Sequence, residues 1–507
     1  MRLLEVIGPL SLATDLGNGQ PLETALRCAL LGAALSRIHG FAAEEVDAAF
    51  WAGILRFGGC IATSFEEASF TGDDLDLRRV LMGVDLGDPD DTVARLTRDL
   101  SRGAPDDERR RQREDFFARG SALAPVAMTA HCEVAMRLAT RLGLGDGVIA
   151  SLGAYHERWD GSGSKGLRGE AIPPSARALA VAQTLVAAVG VGGEFRAILG
   201  RRAGGALQPG LVNAVLSHPS ELLPILSAPS VWERALADEP HPIRELGPSL
   251  LEAARVLGDF ANVKSPYTLG HSQGTARIAV LAGQRANLDA ASLEKLEIAA
   301  LLHDLGRVAV PNGIWDRKGP LGAMELERVR DHALHTGRIL SFSVAFRDVA
   351  EIAAADHERV DGSGYPRRVT GVGVSLEARI LAAADVYHAL IEERPHRAAH
   401  TPAAARQIVD AEVKAGRLDR AAAGHVLEAA GHVPRARPSW PAGLSQREVE
   451  VLRLVTRGQT NKEVAAVLGI SPRTVQQHTL NIYGKIGVST RAAAALFASE
   501  HDLLGSN

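Results

Sequence analysis

An eight-residue pattern that occurs twice limits what this chain of 507 residues can fold into. His-Glu-Arg-Trp-Asp-Gly-Ser-Gly begins at His156, and His-Glu-Arg-Val-Asp-Gly-Ser-Gly begins at His357. A further histidine precedes each copy at the same distance along the chain, His131 in the first and His332 in the second. The period is far longer than that of a solenoid repeat. The pattern therefore predicts a duplicated domain.

The composition predicts that both copies are helical. Hydrophobic residues make up 46% of the chain and aromatic residues only 4%, which favours helices packed on small aliphatic side chains. A chain of this length is expected to form several domains. We expect an all-α protein with a first copy in residues 1–240, a second copy in 247–432, a proline-rich linker in 433–443 and a small four-helix domain in 444–507.

Several features predict a cytoplasmic protein without a membrane segment. The cysteines Cys28, Cys60 and Cys132 follow no metal-binding spacing and fit a reducing compartment. Glu5 and Pro9 interrupt the apolar N-terminal segment, which is untypical of a signal peptide. The longest apolar stretch, 178–193, is short for a membrane span.

Histidines and aspartates in the second copy form a pattern that suits divalent metal ions. The pair His303-Asp304 follows the apolar run 298–302 and ends a buried helix, where ionisable groups need a partner or a metal. Imidazole and carboxylate together suit first-row divalent ions, and an aspartate beside a histidine can bridge two of them. Two ions a few ångströms apart make a site for in-line displacement at phosphorus. The glycine- and proline-rich segment 361–366 predicts a rigid loop beside this site.

The order, spacing and type of these residues resemble the HD-GYP family of metal-dependent phosphohydrolases, over roughly 247–432. The resemblance implies hydrolysis of cyclic di-GMP at a centre of two divalent ions, with iron or manganese as the expected metals. It implies the metal ligands His271, His303, Asp304 as the bridge, His332, Asp356, His357 and Asp385. It implies catalytic roles for Asp304 and Arg307, and substrate contacts from Arg317, Lys318, Gly364, Tyr365 and Pro366.

The second copy also departs from the family pattern. Asp356 stands where the family usually has a histidine, and its harder oxygen can change the preferred metal. Arg307 replaces a lysine, and His388 replaces the second aspartate of an Asp-x-x-Asp motif. Members with a third metal carry a glutamate where this chain has Tyr267, so we expect the two-metal form.

The first copy has lost most of these groups. Arg56-Phe57 stands for His303-Asp304, and the other replacements are Tyr155 for Asp356, Gln183 for Asp385 and Ser164-Lys165 for Tyr365-Pro366. His131 and His156 remain, but two imidazoles without an anionic bridge rarely hold two ions. We expect this copy to be a packing and pairing surface, the alternative being a regulatory ligand pocket.

The segment after the linker predicts a helix-turn-helix. Ser445-Gln446-Arg447-Glu448 and Thr460-Asn461-Lys462-Glu463 are capping boxes, and Ser471-Pro472 starts a third helix. Residues 444–494 carry seven lysines and arginines against three glutamates, although the whole chain has a net charge of −4. Positive charge is therefore concentrated where a phosphate backbone would lie.

This segment closely resembles the LuxR-type DNA-binding domain. The resemblance implies that Gln476 and Gln477 contact bases of double-stranded DNA and that the fourth helix helps to form a homodimer. It implies phosphate contacts from Thr460, Lys462, Thr474 and Lys485, and Arg473 lies on the same outer face of the third helix. The alternative is a small helical protein-binding module.

The sequence therefore predicts a DNA-binding transcription regulator with a tandem HD-GYP-like sensory region. Two alternatives stay open. One is an enzyme proper, a cyclic di-GMP phosphodiesterase. The other is an inactive sensor that holds a metal ion or a cyclic dinucleotide without hydrolysis.

Overall fold

The computed structural model describes residues 2–190, 192, 194–241, 249–431 and 440–504. The chain is 69% helical, and its described residues form no strand, so the all-α prediction is confirmed. The structure divides into two compact units, Met1–Pro248 and Ser249–Asn507. The predicted linker lies mostly outside the described residues, and the boundaries of the individual domains stay a prediction.

The described part of the first unit contains thirteen α-helices. They are α1 (Leu3–Gly17), α2 (Thr24–Ile38), α3 (Ala43–Leu55), α4 (Ser64–Thr71), α5 (Asp74–Leu81), α6 (Pro89–Asp99), α7 (Asp106–Arg141), α8 (Asp146–Gly153), α9 (Pro174–Gly190), α10 (Phe195–Arg202), α11 (Pro209–Ser217), α12 (Pro219–Leu226) and α13 (Val231–Asp238). One segment here, Ala43–Thr71, is long and apolar enough to cross a membrane by composition alone, but 89% of its most apolar window is buried, as in a core helix.

The second unit begins with nine helices that hold the metal-type residues. They are α14 (Leu250–Asn262), α15 (His271–Arg285), α16 (Ala290–Leu302), α17 (Asn312–Trp315), α18 (Ala323–Ser341), α19 (Arg347–Ala353), α20 (Leu376–Ile391), α21 (Pro402–Lys414) and α22 (Arg420–Ala430). Local chemistry sets their starts. Ser375 caps α20 through the amide of Ala378, and Thr401 caps α21 with Pro402 at the first helical position.

Equivalent helices carry equivalent residues in the two units. Helix α3 ends immediately before Arg56 and α16 immediately before His303, while α7 carries His131 and α18 carries His332. The turn after each of α3 and α16 contains a glycine, Gly59 or Gly306, that packs directly on the backbone of the histidine-bearing helix and leaves no space for a side chain. A Cβ atom on Gly59 would lie 1.8 Å from the carbonyl oxygen of His131, and one on Gly306 would lie 2.1 Å from that of His332. These correspondences support the interpretation of the repeat as a duplication.

The second unit ends with four helices, α23 (Gln446–Thr456), α24 (Asn461–Leu468), α25 (Pro472–Ile486) and α26 (Arg491–Glu500). Both predicted capping boxes are present, at Ser445 with Glu448 and at Thr460 with Glu463. Gly469 ends α24 in the left-handed conformation, with a φ of 65°, which glycine adopts without strain. Helices α24 and α25 therefore form the predicted helix-turn-helix.

Candidate metal centre and nucleic-acid interface

The structure brings the seven predicted metal ligands together from five helices. His271 is the first residue of α15, the pair His303-Asp304 follows α16, His332 lies on α18, the pair Asp356-His357 follows α19, and Asp385 lies on α20. Six of the seven residues are buried, and the side chain of His357 is 22% exposed. Solvent therefore reaches the cluster on the side of His357.

The carboxylate of Asp304 lies between two groups of ligands. Its Oδ2 atom is 3.7 Å from the Nε2 atoms of both His271 and His303, and its Oδ1 atom is 3.6 Å from Nε2 of His332. Each oxygen thus faces different histidines. This is the arrangement that a carboxylate shared by two metal ions requires.

Two further aspartates complete the groups. On the Oδ2 side, Oδ1 of Asp385 lies 3.0 Å from Nε2 of His271 and 3.6 Å from Nε2 of His303. On the Oδ1 side, Oδ2 of Asp356 lies 3.2 Å from Nε2 of His357 and 3.9 Å from Nε2 of His332. The centre therefore consists of two mixed imidazole–carboxylate groups that share Asp304.

Several buried atoms of this centre need a partner that the described residues do not supply. Nε2 of His303, Nε2 of His332 and both carboxylate oxygens of Asp356 have no hydrogen-bond partner among those residues. The Nδ1 atoms of His303 and His332 donate to the carbonyl oxygens of Ala300 and Val329, which leaves the Nε2 lone pairs aimed at the centre. Orphaned acceptors in a buried polar cluster fit bound cations.

The charges of the metal-free centre are strongly coupled. Burial alone would lower the pKa of His303, but Asp304 and Asp385 raise it to about 10. Burial alone would raise the pKa of Asp304, but Arg307 and the histidines hold it well below its usual range. The carboxylates therefore favour a proton on His303, whereas burial lowers the pKa of the neighbouring His357.

Arg307 and the Gly-Tyr-Pro loop lie beside the centre. The Nη1 atom of Arg307 is 2.9 Å from Oδ2 of Asp304, and the guanidinium lies 3.9 Å from the ring centroid of Trp315. The ring of Tyr365 stacks on His357 with centroids 4.7 Å apart and an interplanar angle of 21°. Gly364 and Pro366 place this ring in the loop that follows His357.

Within the described residues, no ion pair or hydrogen bond joins Arg317 or Lys318 to the centre. Both are exposed in the segment after α17, and Arg317 forms an ion pair of 2.6 Å with Glu325. Their role as substrate contacts stays a prediction.

One residue of the centre escaped the sequence analysis. Glu392 follows α20, and its Oε2 atom lies 2.8 Å from Nδ1 of His271. The two residues are far apart in sequence, and Glu392 belongs to no motif. The only signal was its position one turn after His388, where the second aspartate of the motif is missing.

The first unit has a guanidinium where the second has its metal-type pair. Arg56 is buried and donates to the carbonyl oxygen of Leu179 over 2.7 Å and to the side chain of Gln183. It also lies 4.6 Å from the ring centroid of Tyr155. A positive charge therefore occupies this position, and the half-buried His131 and His156 both have a lowered pKa, chiefly because of desolvation.

The predicted DNA-contacting residues lie mostly on an open face. Thr460, Lys462, Arg473, Thr474, Gln476 and Gln477 are all exposed. The amide of Gln477 donates to Asn481 over 3.0 Å, one turn further along α25. Lys485 differs, because its ammonium contacts the buried Glu448 at 2.7 Å and the carbonyl oxygen of Gly443 at 3.1 Å.

Helix α26 packs against helix α14 within the second unit, and α15 reaches it through the side chain of Gln273. Ser499 donates a hydrogen bond of 2.6 Å to Asp259, and both side chains are buried. Gln273, two residues after His271, donates to the same carboxylate over 2.9 Å. An exposed ion pair of 2.6 Å joins Arg277 to Asp502. Helix α15 therefore contributes His271 to the metal-type cluster and contacts α26 through Gln273 and the segment after α26 through Arg277.

Comparisons with known proteins agree with both parts of the second unit. The HD domain family matches residues 122–208 and 255–422, and the luxR family of bacterial regulatory proteins matches residues 442–498. These matches confirm both resemblances that the sequence motifs indicated.

Individual relatives extend the similarity over most of the chain. The 3'3'-cGAMP-specific phosphodiesterase 3 of Vibrio cholerae is 30% identical over 408 residues, which are 78% of this chain and 88% of that protein. The cyclic di-GMP phosphodiesterase response regulator RpfG of Xanthomonas campestris pv. campestris is 39% identical over 132 residues, 26% of this chain and 35% of that protein. The crystal structure of a cyclic GMP-AMP-specific phosphodiesterase of V. cholerae shares the fold, with a TM-score of 0.57 and 24% identity over 86% of this chain and 99% of that one. The chain is therefore a member of the HD-domain family with HD-GYP phosphodiesterases among its relatives, and a luxR-type DNA-binding domain follows its HD region.

Proposed function

We propose that the second HD copy hydrolyses a 3'3'-cyclic dinucleotide and that the chain couples this site to DNA binding. The main support is the carboxylate of Asp304, which faces different histidines with its two oxygens. The relatives named above act on 3'3'-cGAMP and cyclic di-GMP, so these two nucleotides are the first substrates to test.

Two divalent ions fit the residues of the centre. One group would be His271, His303, Asp304 and Asp385, and the other Asp304, His332, Asp356 and His357. Imidazoles with carboxylates suit iron and manganese, and Asp356 adds an oxygen that favours manganese over softer metals. When bound, two such ions polarise a phosphodiester and lower the pKa of water for in-line attack at phosphorus.

The chain's own side chains orient the substrate. Tyr365, on the exposed side of the centre, offers an aromatic face on which a base can stack, with the guanidinium carbon of Arg330 at 5.8 Å from its ring. Arg307 is held against Trp315, so its positive charge stays beside the phosphate position. Burial of the other ligands restricts water to the side of His357.

The DNA-binding part would act in the cytoplasm as a homodimer on double-stranded DNA. Gln476 and Gln477 would read bases, while Thr460, Lys462, Arg473 and Thr474 would contact the backbone. Lys485 would contribute less to phosphate binding than the exposed residues, because its ammonium already forms an ion pair with Glu448. Coupling between the metal centre and the DNA-binding helices would pass along α15. Gln273, two residues after His271, donates a hydrogen bond to the same Asp259 carboxylate that accepts one from Ser499 of α26. We call the contact of Ser499 and Gln273 with Asp259 the joint. A ligand at the centre changes DNA affinity only if it binds two conformational states of this joint with different affinity.

The purified chain tests the proposal in one experiment. Bound metal is measured by mass spectrometry, and hydrolysis of 3'3'-cGAMP and cyclic di-GMP is followed by chromatography. We expect two metal ions and turnover in the wild type, and the loss of both with Asp304→Ala. Asp348→Ala is the matched control, because this exposed aspartate of α19 forms an ion pair with the exposed Lys295. A wild type without metal and without turnover contradicts the proposal.

The inactive-sensor alternative has one observation in its favour. The guanidinium of Arg307 lies 2.9 Å from the Oδ2 atom of Asp304 that would bind one of the ions. Metal or nucleotide binding without turnover in the same experiment would select this alternative. Arg307→Lys would then be expected to restore some hydrolysis, because a lysine places a compact charge at this position.

A further inference from the structure

Glu392 lies directly behind His271, on the side away from the metal centre. Nδ1 of His271 is 2.8 Å from Oε2 of Glu392, while Nε2 of the same ring faces Asp385 and Asp304. Both ring nitrogens therefore have a carboxylate partner. A histidine that binds a metal through Nε2 carries its proton on Nδ1, and a carboxylate acceptor there fixes the ring orientation.

Three other residues hold Glu392 in place. Its Oε2 atom accepts a hydrogen bond of 2.9 Å from Arg394, and its Oε1 atom lies 3.2 Å from Nδ1 of His388. The backbones of Arg394 and Arg397 pair with each other, and Arg397 also donates to the carbonyl oxygen of Glu392 over 3.1 Å. The turn that follows α20 therefore fixes both the backbone and the carboxylate of Glu392.

The ring of His388 fits only because position 274 is a glycine. A Cβ atom on Gly274 would lie 1.9 Å from Nε2 of His388 and 2.3 Å from its Cε1. The ring thus packs directly on the backbone of α15, one turn after His271. Any side chain at 274 would displace His388 and, with it, one contact of Glu392.

This second cluster is not a third metal site. His271, His388 and Glu392 offer ligand atoms within 4.8 Å of one another. However, Nη2 of Arg394 lies 3.4 Å from Nδ1 of His271 and 2.9 Å from Glu392. A cation placed there would meet a guanidinium that already neutralises the carboxylate. The geometry therefore favours an orienting role over a binding one.

We propose that Glu392 is a positioning residue that accepts the Nδ1 proton of His271 and turns its Nε2 atom toward the metal centre. Arg394 holds the carboxylate by a hydrogen bond, and His388, which stands where the resembling family has an aspartate, lies 3.2 Å from it. The inference rests on the proposed metal-dependent function. It concerns the affinity of one of the two ions, the one bound by His271.

Metal titration of the full chain tests this inference. The dissociation constants for Mn²⁺ and the visible absorption of the Co²⁺-substituted chain are measured for the wild type, Glu392→Gln, Glu392→Ala and Gly274→Ala. Glu392→Gln keeps the size of the side chain and an acceptor oxygen, so the fold and part of the hydrogen bond are retained. Glu393→Gln is the matched control, because this adjacent glutamate is exposed.

We expect Glu392→Ala to weaken one of two Mn²⁺ sites by about 10- to 100-fold, with a smaller loss in Glu392→Gln and in Gly274→Ala. The Co²⁺ absorption changes in the same order, and Glu393→Gln matches the wild type. A wild type that binds two ions with the same affinity as Glu392→Ala and Glu392→Gln overturns this inference alone. A wild type that binds no metal overturns the proposed function, and with it the role of Glu392.

Discussion

Arg56 donates a hydrogen bond to Gln183, and these two residues of the first unit stand where the second unit has His303 and Asp385. A predicted ligand pair has thus been replaced by a cation and a neutral acceptor. The guanidinium supplies the positive charge inside the fold that metal ions would supply in the other copy. In the first copy a buried guanidinium therefore occupies the position of the metal-type pair of the second.

The first prediction concerns this arginine. Arg56→Ala removes the contacts to Leu179 and Tyr155 and leaves a hollow, so we expect the free energy of unfolding of the first unit to fall by about 3 kcal/mol. The number of bound metal ions stays unchanged. Urea unfolding and metal analysis measure the two effects. Arg37→Ala, on the exposed face of α2, is the control, and a loss of metal in Arg56→Ala would place a ligand in the first unit.

The second prediction is that His156, in the first unit, and His303, in the second, contribute opposite pH dependences of stability in the metal-free chain. Burial and Arg56 lower the pKa of His156 from 6.5 to about 4. The unfolded chain then binds the proton more readily, so the first unit loses stability as the pH falls from 6.5, on the order of 3 kcal/mol at pH 4. The contribution of His303 to stability changes with pH in the opposite direction. Its pKa is raised to about 10, so its contribution is complete below pH 6.5 and is lost as the pH rises toward 10.

Hydrogen exchange resolved by peptide, in chelator, measures both units in one sample. Between pH 7 and pH 5, we expect protection to decrease around α8 and α9 and to hold around α16. His156→Gln removes the titrating ring and should flatten the dependence of the first unit only. Equal pH dependence in both units would contradict the assignment.

The close approach of the seven metal-type side chains could be predicted from sequence because their order, spacing and residue types follow the pattern of the resembling family. His303-Asp304 and Asp356-His357 are adjacent pairs, and the helices that carry them are marked by apolar runs and capping residues. Glu392 could not be predicted, because its contact with His271 depends on a tertiary turn formed by Arg394 and Arg397. The pairing of Lys485 with Glu448 was missed for a similar reason, since an N-terminal capping residue of one helix meets the end of another.

The third prediction separates base reading from backbone contact in the DNA-binding domain. Gln477→Ala should reduce the preference for the specific operator over unrelated DNA by about 1–3 kcal/mol. Lys462→Ala should weaken binding to all sequences and reduce the salt dependence by about one counterion. Fluorescence anisotropy at several salt concentrations measures both. Asn481→Ala, which frees the Gln477 amide, should show a smaller loss of preference, and an unchanged preference in Gln477→Ala would remove it as a reader.

The fourth prediction concerns the joint between α26 and the HD helices. Removing the buried hydrogen bond with Ser499→Ala leaves the carboxylate of Asp259 with one donor fewer, whereas Arg277→Ala removes an exposed ion pair that contributes little. If the joint transmits the state of the metal centre, DNA affinity differs by about 5- to 150-fold between the metal-loaded and metal-free wild type. Ser499→Ala should lose most of that difference, and Arg277→Ala should keep it. DNA titrations of the three proteins with Mn²⁺ or chelator decide the matter. A wild-type affinity independent of metal, or an undiminished difference in Ser499→Ala, would mean that the two regions pack together without communicating through this bond.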